Sequence, residues 1–181
     1  MVITEIINAV KAGQLDEKLT ALYGADALAS QKVRYEEVLS KAKDLLGDKE
    51  AHIFSAPGRT EVGGNHTDHQ LGRVVAASID LDVIAVVVPT DDSIVTYHAK
   101  GFSVSPVDLH NLEINEAEKN TTESLIRGIA AGFTKKGYKV GGFKAYSESN
   151  VLSGGGMSSS AAFEVLIGTI FSHLYNDAAI S

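Results

Sequence analysis

In Ser153-Gly154-Gly155-Gly156-Met157-Ser158-Ser159-Ser160-Ala161-Ala162, three consecutive glycines and then three consecutive serines stand before an apolar stretch. Glycines let a backbone turn sharply and let a ligand approach the main chain. The apolar spacing of residues 161–174 predicts a helix next. The first N–H groups of a helix lack internal partners, and the helix dipole favours negative charge there. Serine hydroxyls add hydrogen bonds to phosphate or ligate a hard cation. The segment reads as a phosphate cradle for a nucleotide; the bland alternative is a Gly/Ser linker or a helix cap. Two familiar cradles are excluded. A Walker A loop needs Lys before Ser or Thr, and no Lys follows Lys144. A dinucleotide fingerprint needs a third Gly or Ala and an acidic residue about 20 positions on, after a second strand. Here Ser159 takes the place of the third Gly, and helix-like sequence follows.

A second polar cluster lies upstream, in Ala56-Pro57-Gly58-Arg59-Thr60-Glu61-Val62-Gly63-Gly64-Asn65-His66-Thr67-Asp68-His69. It reads as a loop between glycines. Arg59 offers a fixed cationic fork, and His66 and Asp68 can donate to and accept from hydroxyls. That chemistry suits a small polyhydroxylated ligand and a transferring phosphate. His66 and His69 could also form a metal pair, and Asp68 could be only an N-cap or a turn former.

Together the two segments resemble the galactokinase branch of the GHMP small-molecule kinases over residues 52–176. The first is similar to the galactokinase signature and the second to the family's ATP loop. The resemblance implies transfer of the ATP γ-phosphate to a sugar hydroxyl, for galactose the anomeric one. It places Arg59 in the catalytic role, and Asn65, His66 and Asp68 at the sugar. Gly154, Gly155, Gly156, Met157, Ser158, Ser159, Ser160 and Ala161 would hold the nucleotide phosphates, and Ser159 or Ser160 would contact Mg2+. It also implies an α+β fold, the GHMP kinase N-terminal domain with a layered topology like domain 2 of ribosomal protein S5. Two departures from the family stand out. Asn65 stands where the family has Glu, so the sugar stays open, and Thr60-Glu61-Val62-Gly63 replaces Asn-Leu-Ile-Gly. Glu61 has no assigned role and is read as facing solvent.

The family's catalytic aspartate and third glycine-rich motif come well after the serine loop, and Asp177 lies too close to it to match. The chain is therefore expected to be the N-terminal part of a longer kinase, ending before the C-terminal domain and inactive alone. Such an end is expected to bare apolar surface on the helix of Phe163, Leu166, Ile170 and Leu174. Two other classes remain open: a catalytically silent sugar or nucleotide sensor, and a GHMP kinase for another acceptor.

These loops need elements to hold them. Residues 1–50 read as a helical extension, with Val2, Ile6, Ile7 and Val10, then Val33, Val38, Leu39, Leu45 and Leu46, at helical spacing. Gly13 and Gly24 punctuate it and Gly47 ends it. Its role stays open between packing, regulation and association. Residues 51–181 then form an incomplete kinase N-terminal domain. Strands are expected at 52–56, 74–77, 83–88, 94–97 and 141–147, with a turn at Asp91-Asp92. A helix is expected at 122–136, with Leu125, Ile129 and Phe133 facing the core.

Composition fits a soluble enzyme. The 181 residues suffice for one domain with a sizeable core, and 44% hydrophobic content argues against disorder. A net charge of −7 without a basic stripe excludes nucleic acid as an expected partner. The absence of cysteine excludes disulfides and thiolate metal sites. No run is long and apolar enough to span a membrane, and residues 1–10 lack a basic leader. A cytoplasmic location is expected, with oligomeric state open.

Overall fold

A computed structural model describes residues 1–64, 71–151 and 158–180 of the chain. Three helices come first: α1 (Ile3–Lys11), α2 (Asp16–Tyr23) and α3 (Leu28–Leu46). In α1, Ile3, Ile6, Ala9 and Val10 form a buried stripe. Its N-terminus is pinned by Asp48, which accepts from Thr4 N at 2.8 Å and from Thr4 Oγ1 at 2.6 Å. The buried stripe of α3 is Tyr35, Val38, Leu39, Ala42 and Leu46. Val33 and Leu45, expected on that face, fall outside it and are exposed. Gly47 ends α3 with φ +82°, a conformation that costs glycine little.

The sheet contains β1 (His52–Gly63), β2 (Val75–Pro89), β3 (Ile94–Ala99), β4 (Phe102–Ser103), β5 (Val107–Asp108) and β6 (Phe143–Ser149). Its order is β1-β2-β6-β3-β4, with β5 also on β3. β6 lies antiparallel to β2 and parallel to β3. A parallel pair needs a crossover, and here the crossover carries α4 (Thr122–Lys135). The last helix, α5 (Ser159–Tyr175), follows β6.

Alternation along β2 sends side chains to two buried faces. Val83, Ala85 and Val87 pack with Ile126 and Ala130 of α4 and with Leu166, Ile167, Ile170 and Phe171 of α5. Ile84, Val86 and Val88, with Tyr146 of β6, pack against Ile6, Val10, Val38 and Leu39. The sheet is thus buried between two helical layers. The mixed α+β pattern expected from the sequence is present.

Several boundaries differ from expectation. Residues 57–63, read as loop, continue β1, and the two strands expected at 74–77 and 83–88 are one strand, β2. Cross-strand pairing decides this: the register runs from His52↔Val87 to Gly63↔Val75. Irregularities at Pro57/Arg59 and Glu61/Gly63 absorb the proline and glycines, and proline is tolerated because β1 is an edge strand. The Asp91-Asp92 turn is present, with Asp92 Oδ1 accepting from Thr90 Oγ1 at 2.7 Å and from Ile94 N at 3.1 Å. On α4 the fully buried positions are Ile126 and Ala130; Ile129 and Phe133 are only partly buried, because the sheet meets the helix one residue off the expected stripe. Nor does α5 bare its expected face: Leu166 and Ile170 are fully buried against the sheet, and Val165 on the other side is exposed.

Candidate functional site

α5 begins at Ser159, two residues earlier than its apolar spacing suggests, so the serines form its first turn. Ser158 is the N-cap residue, in the left-handed region at φ +55° and ψ +56°, and no side chain caps the helix among the described residues. The first helical bond runs from Ala162 N to Ser158 O at 3.0 Å. The amides of Ser159, Ser160 and Ala161 therefore precede any acceptor within the helix, at its positive end. With two hydroxyls in the same turn, this end can receive an anion and place oxygen ligands beside it.

A cavity of about 400 Å³ opens beside this turn. Ser159 and Ser160 border it together with Tyr97 and Lys100 from the β3 side, Ser147 and Ser149 of β6, and Leu125 of α4. Leu125, expected in the core, lines this cavity instead. Tyr97 is 1% exposed, and its hydroxyl makes no hydrogen bond of ordinary geometry among the described residues. Burial pushes the Tyr97 phenol up, tempered by the neighbouring Ser147, so it remains a protonated donor. A buried donor left unpaired costs free energy unless a ligand or water takes it. Lys100, the only charged residue in the lining among the described residues, donates to Glu148 Oε2 at 2.8 Å. Glu148 is 7% exposed and also accepts from Lys41 Nζ at 3.3 Å and Tyr146 Oη at 2.9 Å. Sequence reasoning singled out none of Tyr97, Lys100 or Glu148. Their only signal is the strand periodicity that puts Tyr97 on the same face as Val95.

Arg59 lies on β1, opposite Ser78. Its Nη2 sits 3.2 Å from Glu61 Oε1, with the two side chains 33% and 22% exposed. Glu61, expected to face solvent, is instead Arg59's ion-pair partner, since strand neighbours two apart share a face. Arg59 Nε is buried without an acceptor among the described residues. The cavity and β1 are adjacent: Val83, which borders the cavity, pairs with Ala56, just before Arg59. Asn65, His66 and Asp68, and Gly154, Gly155, Gly156 and Met157, lie outside the described residues. Among the described residues, no three His, Asp or Glu side chains are grouped to hold a metal ion. No described helix is long and apolar enough to cross a membrane.

Residues 43–89 match the galactokinase galactose-binding signature. A galactokinase of Lactobacillus helveticus is 33% identical over 144 residues, covering 78% of this chain and 37% of that protein. The crystal structure of Lactococcus lactis galactokinase complexed with galactose superposes with a TM-score of 0.71 at 25% identity, over 82% of this chain and 39% of that one. Mevalonate kinase of Methanococcus jannaschii shares the fold, with a TM-score of 0.56 at 19% identity. The fold is that of the N-terminal domain of the GHMP kinases. Within that class the chain is a relative of the galactokinases, matching part of their length. It spans 37% of the length of the Lactobacillus helveticus protein.

Proposed function

We propose that this chain carries the nucleotide-binding wall and much of the sugar loop of an ATP-dependent sugar kinase, a galactokinase that phosphorylates the anomeric hydroxyl. The observation that carries this reading is the N-terminus of α5, which no side chain caps among the described residues, with Ser159 and Ser160 opening onto a cavity of about 400 Å³. The kinship with galactokinases supports the acceptor class.

The site fits a nucleotide on its own chemistry. The α5 amides and the glycine-rich segment before them suit phosphate oxygens. The Tyr97 hydroxyl, without a hydrogen bond of ordinary geometry among the described residues, suits a polar edge of the base or ribose. Ser159 and Ser160 would ligate Mg2+, which supplies charge neutralisation when bound. In the transfer, the bond between the γ-phosphorus and its bridging oxygen breaks, and one from the sugar oxygen forms. ADP leaves with the former bridging oxygen, and the hydroxyl proton passes to a base, the role the family resemblance gives to an aspartate that no residue of this chain matches. Arg59 stabilises the charge that builds on the transferring group, and its Glu61 partner keeps the guanidinium oriented. His66 and Asp68 hold the sugar within attack distance. Asn65 favours a second reading for the acceptor alone: a neutral amide both donates and accepts where the family's Glu only accepts, so a different hexose could be preferred.

Calorimetric titration with Mg-ATP tests the cradle. Gly155→Val crowds the approach of phosphate to the backbone and is expected to weaken binding at least tenfold, about 1.4 kcal/mol. Unchanged affinity in a folded variant would refute it. A hexose panel that follows ADP release with the full-length protein tests the acceptor. Turnover on another hexose but not on galactose would replace the sugar and keep the kinase.

A further inference from the structure

Polar side chains converge where α2 and α3 meet the sheet. Asp82 of β2 is 2% exposed. Its carboxylate accepts from Arg34 Nη1 at 2.6 Å, from Tyr23 Oη at 2.5 Å and from Ser55 Oγ at 2.5 Å. Tyr35 Oη lies 2.9 Å from Tyr23 Oη. Burial, reinforced by the bond to Asp82, pushes the Tyr23 phenol far up, so it stays a donor. The Arg34 side chain is 13% exposed.

Arg34 reaches further than this carboxylate. Its Nη2 donates to the Asp82 carbonyl at 3.2 Å, and the same carbonyl accepts from Asn150 N at 3.0 Å. With its amide oxygen turned to the guanidinium, Asn150 accepts from Nη1 at 3.2 Å and Nε at 3.3 Å. One planar fork therefore grips β2 at Asp82 and the chain where it leaves β6. Asp82 pairs with Pro57 on β1, just before Arg59. Asn150 stands just before the serine-rich segment. A buried ion pair adds little net stability over an apolar pair of similar volume. What it supplies here is geometry, and lysine lacks the fork that makes it.

We infer that Arg34 is a positioning residue, a guanidinium from α3 that fixes the Arg59 strand relative to the entry of the serine segment. The functional sense of that role rests on the kinase reading above; the mechanical role does not. Arg34→Lys keeps the charge and removes the fork, and Asp82→Asn keeps the fork and removes its anionic partner. Both are to be examined by residue-resolved amide hydrogen exchange, alongside Mg-ATP titration.

In either variant the amides of Asn150, Val151 and Thr60 are expected to exchange at least tenfold faster, while Leu166 to Ile170 in the α5 core stay as they were. Mg-ATP affinity is expected to fall about tenfold in parallel. Uniform acceleration along the chain would mean a merely global role and would overturn the inference. So would unchanged exchange at those three amides in Arg34→Lys. Failure of the unaltered chain to bind Mg-ATP would count against the kinase reading, while the exchange pattern would still decide whether Arg34 holds the two segments in register.

Discussion

Tyr97 in the cavity lining and Glu148, the partner of the cavity's Lys100, have opposite problems of burial. The Tyr97 hydroxyl makes no hydrogen bond of ordinary geometry among the described residues; Glu148 has a carboxylate with three partners. Tyr97→Phe deletes a buried polar atom that has no hydrogen bond of ordinary geometry among the described residues, so the ligand-free protein is expected to be equally or more stable in urea. If the hydroxyl serves a nucleotide, the same variant loses about 0.5–1.5 kcal/mol of Mg-ATP affinity. A stability loss with unchanged affinity would assign Tyr97 to the fold alone. For Glu148, burial pushes the carboxyl up, but hydrogen bonds from Lys100 and Tyr146 and the Lys100 charge outweigh it and leave it below the ordinary glutamate range. Burial and the bond to Glu148 in turn push the Tyr146 phenol up to about 12. A folded-state value below the unfolded one gives stability that is full above about pH 4.3 and is lost as pH falls through the folded value. Glu148→Gln should therefore flatten the decline of urea stability below that pH. An acid limb identical to the unaltered protein's would show that Glu148 does not contribute to it.

Among the elements, the β1–β2 hairpin was the hardest to read. Ser78, Asp80 and Asp82 interrupt the apolar run of β2, and Pro57, Gly58 and Gly63 punctuate β1. Locally these look like turns. What overrides them is long-range pairing with bulges, which no window along the chain contains. The serine helix was legible because its chemistry is local: glycines, serines, then apolar spacing. The cavity beside it was not, because Tyr97, Lys100, Leu125 and Ser147 come from separate elements. Likewise the pairing of Arg59 with Glu61 depends on their being in a strand rather than a loop. Gly64, just past β1, tests how tightly the hairpin is built. It has φ +109°, and an added Cβ would come within 2.6 Å of both Arg73 O and Val74 Cα. Gly64→Ala is expected to cost about 1–3 kcal/mol from backbone strain alone, measured by urea unfolding. A loss near zero would mean that the hairpin end adapts freely.

At the scale of the whole molecule, the first three helices do not form a separate body. They share one buried cluster with the sheet, in which Ile84, Val86, Val88 and Tyr146 meet Ile6, Val10, Val38 and Leu39. Helical spacing in residues 1–50 showed that helices would form. It could not show that the sheet would offer them a second apolar face, because Val83 to Val88 reads as one continuous run whose two faces separate only once the strand exists. Fully burying each large aliphatic side chain stabilises by about 1.5–3 kcal/mol. Baring the three on β2 alone would remove a large share of the 5–15 kcal/mol typical of a domain, roughly speaking. It would also strand the Asp82 carboxylate without Arg34 and Tyr23, a buried charge left unpaired. Deletion of residues 1–49 is therefore expected to give a chain that aggregates or fails to unfold cooperatively, in contrast to a dispensable appendage. Size-exclusion chromatography and near-ultraviolet circular dichroism of the shortened chain check this. A monomeric product with an intact tyrosine signal would show that the sheet tolerates one open face, and that α1 to α3 add to the domain without completing it.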